Sequence, residues 1–172
     1  MALPDYIDIA QGTAIDLSFV NSSSVHVFDG LTGGTAIQSA RADLGANYAM
    51  EYAVVFRVRT GATAPAAGAT LELYLLTSHN GTDWPAKVAG ATTAATYTLG
   101  TSDANLKLAG PATASLVVTA DADTTLETAY ALWRPRGRYV VGIVDSNLSV
   151  ALGSGGLSKV LLIPLRTTVL ES

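Results

Sequence analysis

The chain has 172 residues, 49% hydrophobic and only 14% charged, with a formal net charge of −4, a pI of about 4.9 and no cysteine. That length suits one well-filled core rather than two. The acidic balance argues against general nucleic-acid binding, and the missing cysteine removes disulfides, thiolate catalysis and thiolate-held zinc or iron–sulfur sites. So few charges over a half-apolar chain predict that some surface is buried against a partner.

The opening Met1-Ala2-Leu3-Pro4-Asp5 shows neither a basic n-region nor an apolar h-region, which predicts cytoplasmic synthesis without a secretory leader. Apolar runs such as 160–163 fall well short of the roughly 18 to 20 residues of a membrane-crossing helix, so no membrane partner is expected. Ile7 and Ile9 flank Asp8 as a first short strand or as part of an N-terminal arm over 1–12. Ile15, Leu17 and Phe19 alternate with polar residues, a turn-rich 21–24 follows, and 25–28 completes a predicted N-terminal hairpin. Three glycines mark 29–34 as a loop, and 36–45 has no clear period.

From Tyr48 the even positions read Tyr48, Met50, Tyr52, Val54, Phe56, Val58, and the odd ones are mostly small or polar. A period of two over this length predicts a long strand with one face in a core. Leu71, Leu73 and Leu75 alternate in the same way, and the simplest arrangement sets these two strands side by side as an antiparallel pair. Residues 78–85 are dense in turn formers, with Asn80-Gly81 suited to positive φ. Small residues dominate 86–112, which reads as a long exposed excursion and a candidate contact surface.

Residues 116–118 form another strand. Leu126, Ala129, Tyr130 and Trp133 then fall at helical spacing behind Thr124-x-x-Glu127, so 124–133 fits a short helix as well as a strand. A second hairpin is predicted from 138–144 and 148–152 about the turn Asp145-Ser146-Asn147. The apolar 157–170 closes the chain as a buried strand, with Pro164 marking an edge or a bulge. Together these elements predict a single all-β domain over 1–172, an antiparallel β-sandwich of jelly-roll type with at most one short helix near 124–133.

Local chemistry is sparse. His26 and His79 are the only histidines, on a strand and in a turn, and do not predict a metal site. Asp121-x-Asp123-x-Thr125-x-Glu127 has calcium-like spacing without the central glycine or distal glutamate of an EF-hand loop. Gly153-Ser154-Gly155 lacks the spacing of a nucleophile elbow, and the three sequons at Asn21, Asn80 and Asn147 are Ser, Thr and Asn in turns. No catalytic residue, cofactor or metal is predicted. Arg134-Pro135-Arg136-Gly137-Arg138 places three of the ten basic residues within five positions, where forked hydrogen bonds could grip a carboxylate surface. Trp84 and Trp133, each beside a proline or near one, read as core plugs or as sugar-stacking rings.

Leu73-Tyr74-Leu75-Leu76-Thr77-Ser78 with Asn80-Gly81-Thr82-Asp83-Trp84-Pro85, and the segment from Arg138 to Asn147, resemble the small β-sandwich virion proteins of tailed bacteriophages. The resemblance covers the chain from Tyr48 onward in style and strand order. It implies a non-enzymatic structural protein of the capsid decoration or cement type, made in the host cytoplasm and found on the virion. Its partners would be the major capsid protein and copies of itself, most simply as a trimer, with no nucleic acid and no membrane. Ile7, Ile9, Arg134, Arg136 and Arg138 are the contact residues expected, with the segments 7–19 and 86–112 between copies. A phage neck or tail protein and a carbohydrate- or receptor-binding sandwich are the alternative functions.

Overall fold

The computed structural model describes residues 6–20, 28–88, 94–97, 106–122 and 126–170. Eleven strands occur among them: β1 (Tyr6–Gln11), β2 (Ile15–Leu17), β3 (Thr35–Gln38), β4 (Ala42–Asp43), β5 (Glu51–Arg59), β6 (Thr70–Ser78), β7 (Ala95–Tyr97), β8 (Ala114–Val117), β9 (Leu126–Trp133), β10 (Tyr139–Ser146) and β11 (Lys159–Leu170). The first sheet runs β1-β11-β5-β9, with β2 also on β11; the second runs β7-β3-β10-β6-β8, with β4 also on β10. Every pairing is antiparallel.

Taken without β1, β4 and β7, the sheets read β2-β11-β5-β9 and β3-β10-β6-β8. Successive strands therefore pass mostly from one sheet to the other, and this winding makes the all-β sandwich a jelly roll. The core lies between the sheets, where Tyr52, Val54, Phe56, Val58, Val160 and Leu162 meet Leu71, Leu73, Leu116, Val140 and Val144.

β5 has the predicted period, its burial alternating strictly from Glu51 to Arg59. The strand starts later than the sequence pattern, however: Met50 is 88% exposed. The expected β5–β6 pair does not form, because β5 is already flanked by β11 and β9 and β6 by β10 and β8. Residues 60–69 instead cross between the sheets. The same reasoning removes the hairpin over 138–152. β10 pairs β6 on one side and β3 and β4 on the other, so no edge is left for 148–152. Leu148 and Leu152 are buried as core plugs in a crossing loop, and Leu152 makes one isolated bridge to Thr60.

Of the expected N-terminal hairpin only the first arm and Phe28 are described. β2 pairs β11, and Phe28 lies in a turn with its ring 4.4 Å from that of Phe19, centroid to centroid; residues 21–27 lie outside the described residues. The segment 126–133 is a strand, paired with β5 from Tyr52–Trp133 to Arg59–Leu126. A helix of that length is marginal by itself, so the hydrogen bonds and core contact offered by β5 outweigh the local capping signal. Among the described residues one helical turn is at 106–109 and a 3-10 turn at Pro85–Lys87.

Pro164 sits within β11, opposite Tyr52 of β5. Its carbonyl accepts from the Gly12 N–H at 2.9 Å, so its backbone polar groups face the other side, toward β1 and β2. The missing donor of the proline coincides with the break between those two strands, a local edge inside the sheet.

Candidate functional site

The two outer faces of the sandwich differ. On the second sheet Tyr97, Ala36, Tyr74, Leu76, Val141 and Ile143 form an apolar outer face, and Val88 and Leu106 pack with it as a second buried cluster. The 86–112 segment is thus not simply an exposed excursion. Val88 and Leu106 pack against the sheet, β7 joins it as an edge strand, and residues 89–93 and 98–105 lie outside the described residues. That cover also explains why β3 and β10, buried on both faces, show little alternation.

The outer face of the first sheet has no such cover among the described residues. Strand register places Tyr130, Val55 and Leu161 in one transverse row and Leu132, Ala53 and Ile163 in the next. Thr128, Arg57 and Lys159 border these rows at one end, and Leu165 with the Glu51–Arg134 ion pair (3.0 Å) at the other. Tyr130 is 77% and Leu132 66% exposed. Three strands about 4.8 Å apart and two rows about 6.8 Å apart give an apolar face on the order of 200 Å². With Tyr130 and Leu132 standing proud at its centre, it is a contiguous apolar patch of the kind that is often functional on a monomer.

Beside this face lies a cleft of about 830 Å³. It opens because β8 leaves β6 at the Ala114–Leu73 pair. The Thr113 N–H still donates to the Leu73 carbonyl (2.6 Å) and its Oγ1 accepts from the Leu75 N–H (3.1 Å), and then the chain diverges through 109–112. The opposite wall is the β9–β10 turn, which brings Trp133, Arg134 and Arg136 near Thr77 and His79. Gly137 permits this approach, since a Cβ there would sit 2.7 Å from the Ser78 carbonyl.

The turn after β6 is held by its own polar atoms. Asn80 Oδ1 accepts from the Thr82 and Asp83 N–H groups (3.0 and 2.9 Å), Ser78 Oγ accepts from the Gly81 N–H (2.9 Å), and Trp84 Nε1 donates to the Gly81 carbonyl (3.2 Å). These are the side-chain-to-backbone bonds that make Asn and Ser turn formers, and they set where His79 stands.

The arginine cluster is divided by the structure. Arg134 and Arg136 line the cleft, and Arg136 is exposed with no partner among the described residues. Arg138 is turned away and forks onto Asp43, with Nε–Oδ1 at 2.7 Å and a terminal nitrogen to Oδ2 at 2.6 Å. Its hydrogen bond with Arg138 holds the Asp43 carboxyl below the usual aspartate range, and the same bond raises Arg138. Arg138 and Arg41 also lie 5.2 Å from the Tyr139 ring centre on the same ring. Ile7 and Ile9 sit on β1, the edge strand, opposite Val169 and Thr167 of their own β11.

His26 lies outside the described residues, as do two positions of the 121–127 motif. Trp84 and Trp133 pack partly buried against the outer and inner clusters respectively, and the Trp133 ring stands 5.9 Å from that of Tyr52. Sequence reasoning missed the cleft itself, which unites a strand edge, a turn and a loop far apart in the chain. It also missed that β6–β10 register sets Glu72 opposite Asp145, with the Tyr74 hydroxyl donating to Glu72 at 2.6 Å. No group of three or more His, Asp or Glu placed to hold a metal occurs among the described residues. Comparison of the chain with protein-family models, curated proteins and solved structures finds no match.

Proposed function

We propose that the chain is a non-enzymatic virion structural protein, a capsid decoration protein that seats its first sheet on the major capsid protein of a phage head or on copies of itself. The observation that carries this reading is the asymmetry of the two outer faces: one apolar face is buried under Val88, Leu106 and the residues packed with them, and the other, with Tyr130 and Leu132 exposed on it, is bare among the described residues. Surface of that kind serves distributed burial against a neighbour rather than turnover of a substrate. A jelly roll is common to viral capsid and lectin domains, so the fold is compatible with the reading without deciding it.

The β9 edge supports association as well. Among the described residues β9 pairs only β5, and because Pro164 turns its polar groups away from Tyr52, it is Tyr52, Val54, Phe56 and Val58 that bond β9 through Trp133, Ala131, Ala129 and Glu127. The N–H and C=O groups of Thr128, Tyr130 and Leu132 then point outward along an eight-residue edge that contains no lysine or proline. Assembly as a trimer on local three-fold positions and residence on the virion belong to the same proposal.

Purified protein mixed with purified phage heads tests it. The expected result is near-stoichiometric copy number, lost when Tyr130→Glu and Leu132→Glu charge the bare face while the fold remains intact. A few copies per particle would move the chain to the neck or tail, and binding indifferent to both charges would exclude this face. Trp133 on the cleft wall favours a second reading, a carbohydrate-binding sandwich, which a glycan array without hits would remove.

A further inference from the structure

We propose that the open edge of β6 at Leu75–Thr77 receives an extended acidic peptide segment as an added strand, one of whose carboxylates is held by Arg136, Arg134 and His79. The cleft concerned adjoins the bare sheet face and shares Leu132 with it, but its strand edge and its cations lie outside that face, and the inference holds whether or not the chain sits on a capsid.

Strand parity supplies the first argument. Leu73 accepts from Thr113 and Leu75 donates to it, whereas Thr70 accepts from Asn147 on the β10 side. Odd-numbered residues of β6 therefore direct their backbone polar groups toward the β8 side. β8 covers that side only as far as Leu73. The Leu75 carbonyl and the N–H and carbonyl of Thr77 face the cleft, with no hydrogen-bond partner among the described residues. These groups alternate at the spacing that an incoming strand matches with its own backbone.

Charge supplies the second. His79, Arg134 and Arg136 line the cleft, and among the described residues no carboxylate does. Arg134 spends its Nε on Glu51, which leaves its terminal NH2 groups for a ligand. Arg136 has all of its donors available among the described residues. A guanidinium fork suits a carboxylate, and two of them beside an imidazole select an acidic side chain over a neutral or basic one. Pro111, Leu132 and Trp133 add apolar wall for the residues between the acidic positions.

The ordered edge argues for a peptide rather than a sugar acid, because a sugar ring cannot pair alternating backbone donors and acceptors along a strand. Fluorescence anisotropy with a labelled, blocked Val-Glu-Val-Glu-Val-Glu peptide tests this on the full chain. The expected result is saturable binding, weakened roughly tenfold or more by Arg136→Glu, by added salt, and by N-methylation of alternate peptide amides. The N-methylated peptide tests the strand edge without altering the protein; Thr77→Pro, which removes one edge donor, gives the same loss from the protein side. A lysine-for-glutamate peptide is expected not to bind. The proposal is overturned if the acidic peptide fails to saturate, if the lysine peptide binds equally, or if N-methylation leaves affinity unchanged. Tighter binding of an oligogalacturonate than of the peptide would assign the cleft to a sugar acid and overturn it as well.

Discussion

Phe56 and Val55 are neighbours in sequence and belong to opposite faces of β5, so truncating each to alanine measures the sandwich directly. Phe56 is fully buried between Val160 of β11 and Ala129 of β9, facing the second sheet. Phe56→Ala loses a transfer contribution of roughly 2–3 kcal/mol, and a residual void of ~50–100 Å³ at about 24 cal/mol per Å³ adds roughly 1–2 kcal/mol. The sum, about 3–5 kcal/mol, is a large part of the stability of an ordinary domain. With an m-value of about 2 kcal/mol/M, the urea midpoint falls by roughly 1.5–2.5 M. Val55 lies on the outer face and is only half-buried in the isolated chain, so Val55→Ala costs below about 1 kcal/mol. Equilibrium urea unfolding followed by tryptophan fluorescence reads both, and Phe56→Leu supplies a milder core variant should the alanine variant not fold. Equal costs at 55 and 56, or a cost at 56 below that at 55, would refute the assignment of faces on which the functional proposal rests.

Gly33→Ala places a Cβ against the Leu148 carbonyl, where a backbone loop rather than a movable side chain must give way, and is expected to cost about 2–3 kcal/mol in the same assay. Ala86, the one described non-glycine residue at positive φ (59°), is strained. Ala86→Gly therefore raises the thermal midpoint, corresponding to about 0.5–1 kcal/mol, where an alanine-to-glycine change ordinarily lowers it. Asp43 has its folded pKa below the ordinary 3.8. The unfolded chain binds more protons between the two values, so this contribution is fully present above pH 3.8 and is lost as pH falls through the folded value. Asp43→Asn is expected to flatten the acid limb of stability against pH in that range without changing its slope near neutrality; an unchanged acid limb would count against the Arg138 pairing.

Side-chain alternation, turn composition and the absence of long apolar runs sufficed to read an all-β sandwich from the sequence, because burial on one face of a strand imposes a period of two wherever the other face meets water. The β5 core residues and the turn at 78–85 were legible for this reason. Partners of strands were not. Period two says which face a residue occupies and nothing of which strand lies beside it, so β5 and β6, adjacent in sequence, occupy different sheets, and 148–152 became a crossing plug once β10 had neighbours on both sides. Segment 124–133 carried a helical spacing and a strand spacing together, and only the open edge of β5 decided between them. The arginines were visible as a group, but Asp43, ninety-five positions away, withdrew Arg138 from it. The cleft, with its exposed β6 edge, exists only because distant loops diverge from the sheet in space, a long-range event for which no local pattern carries a signal.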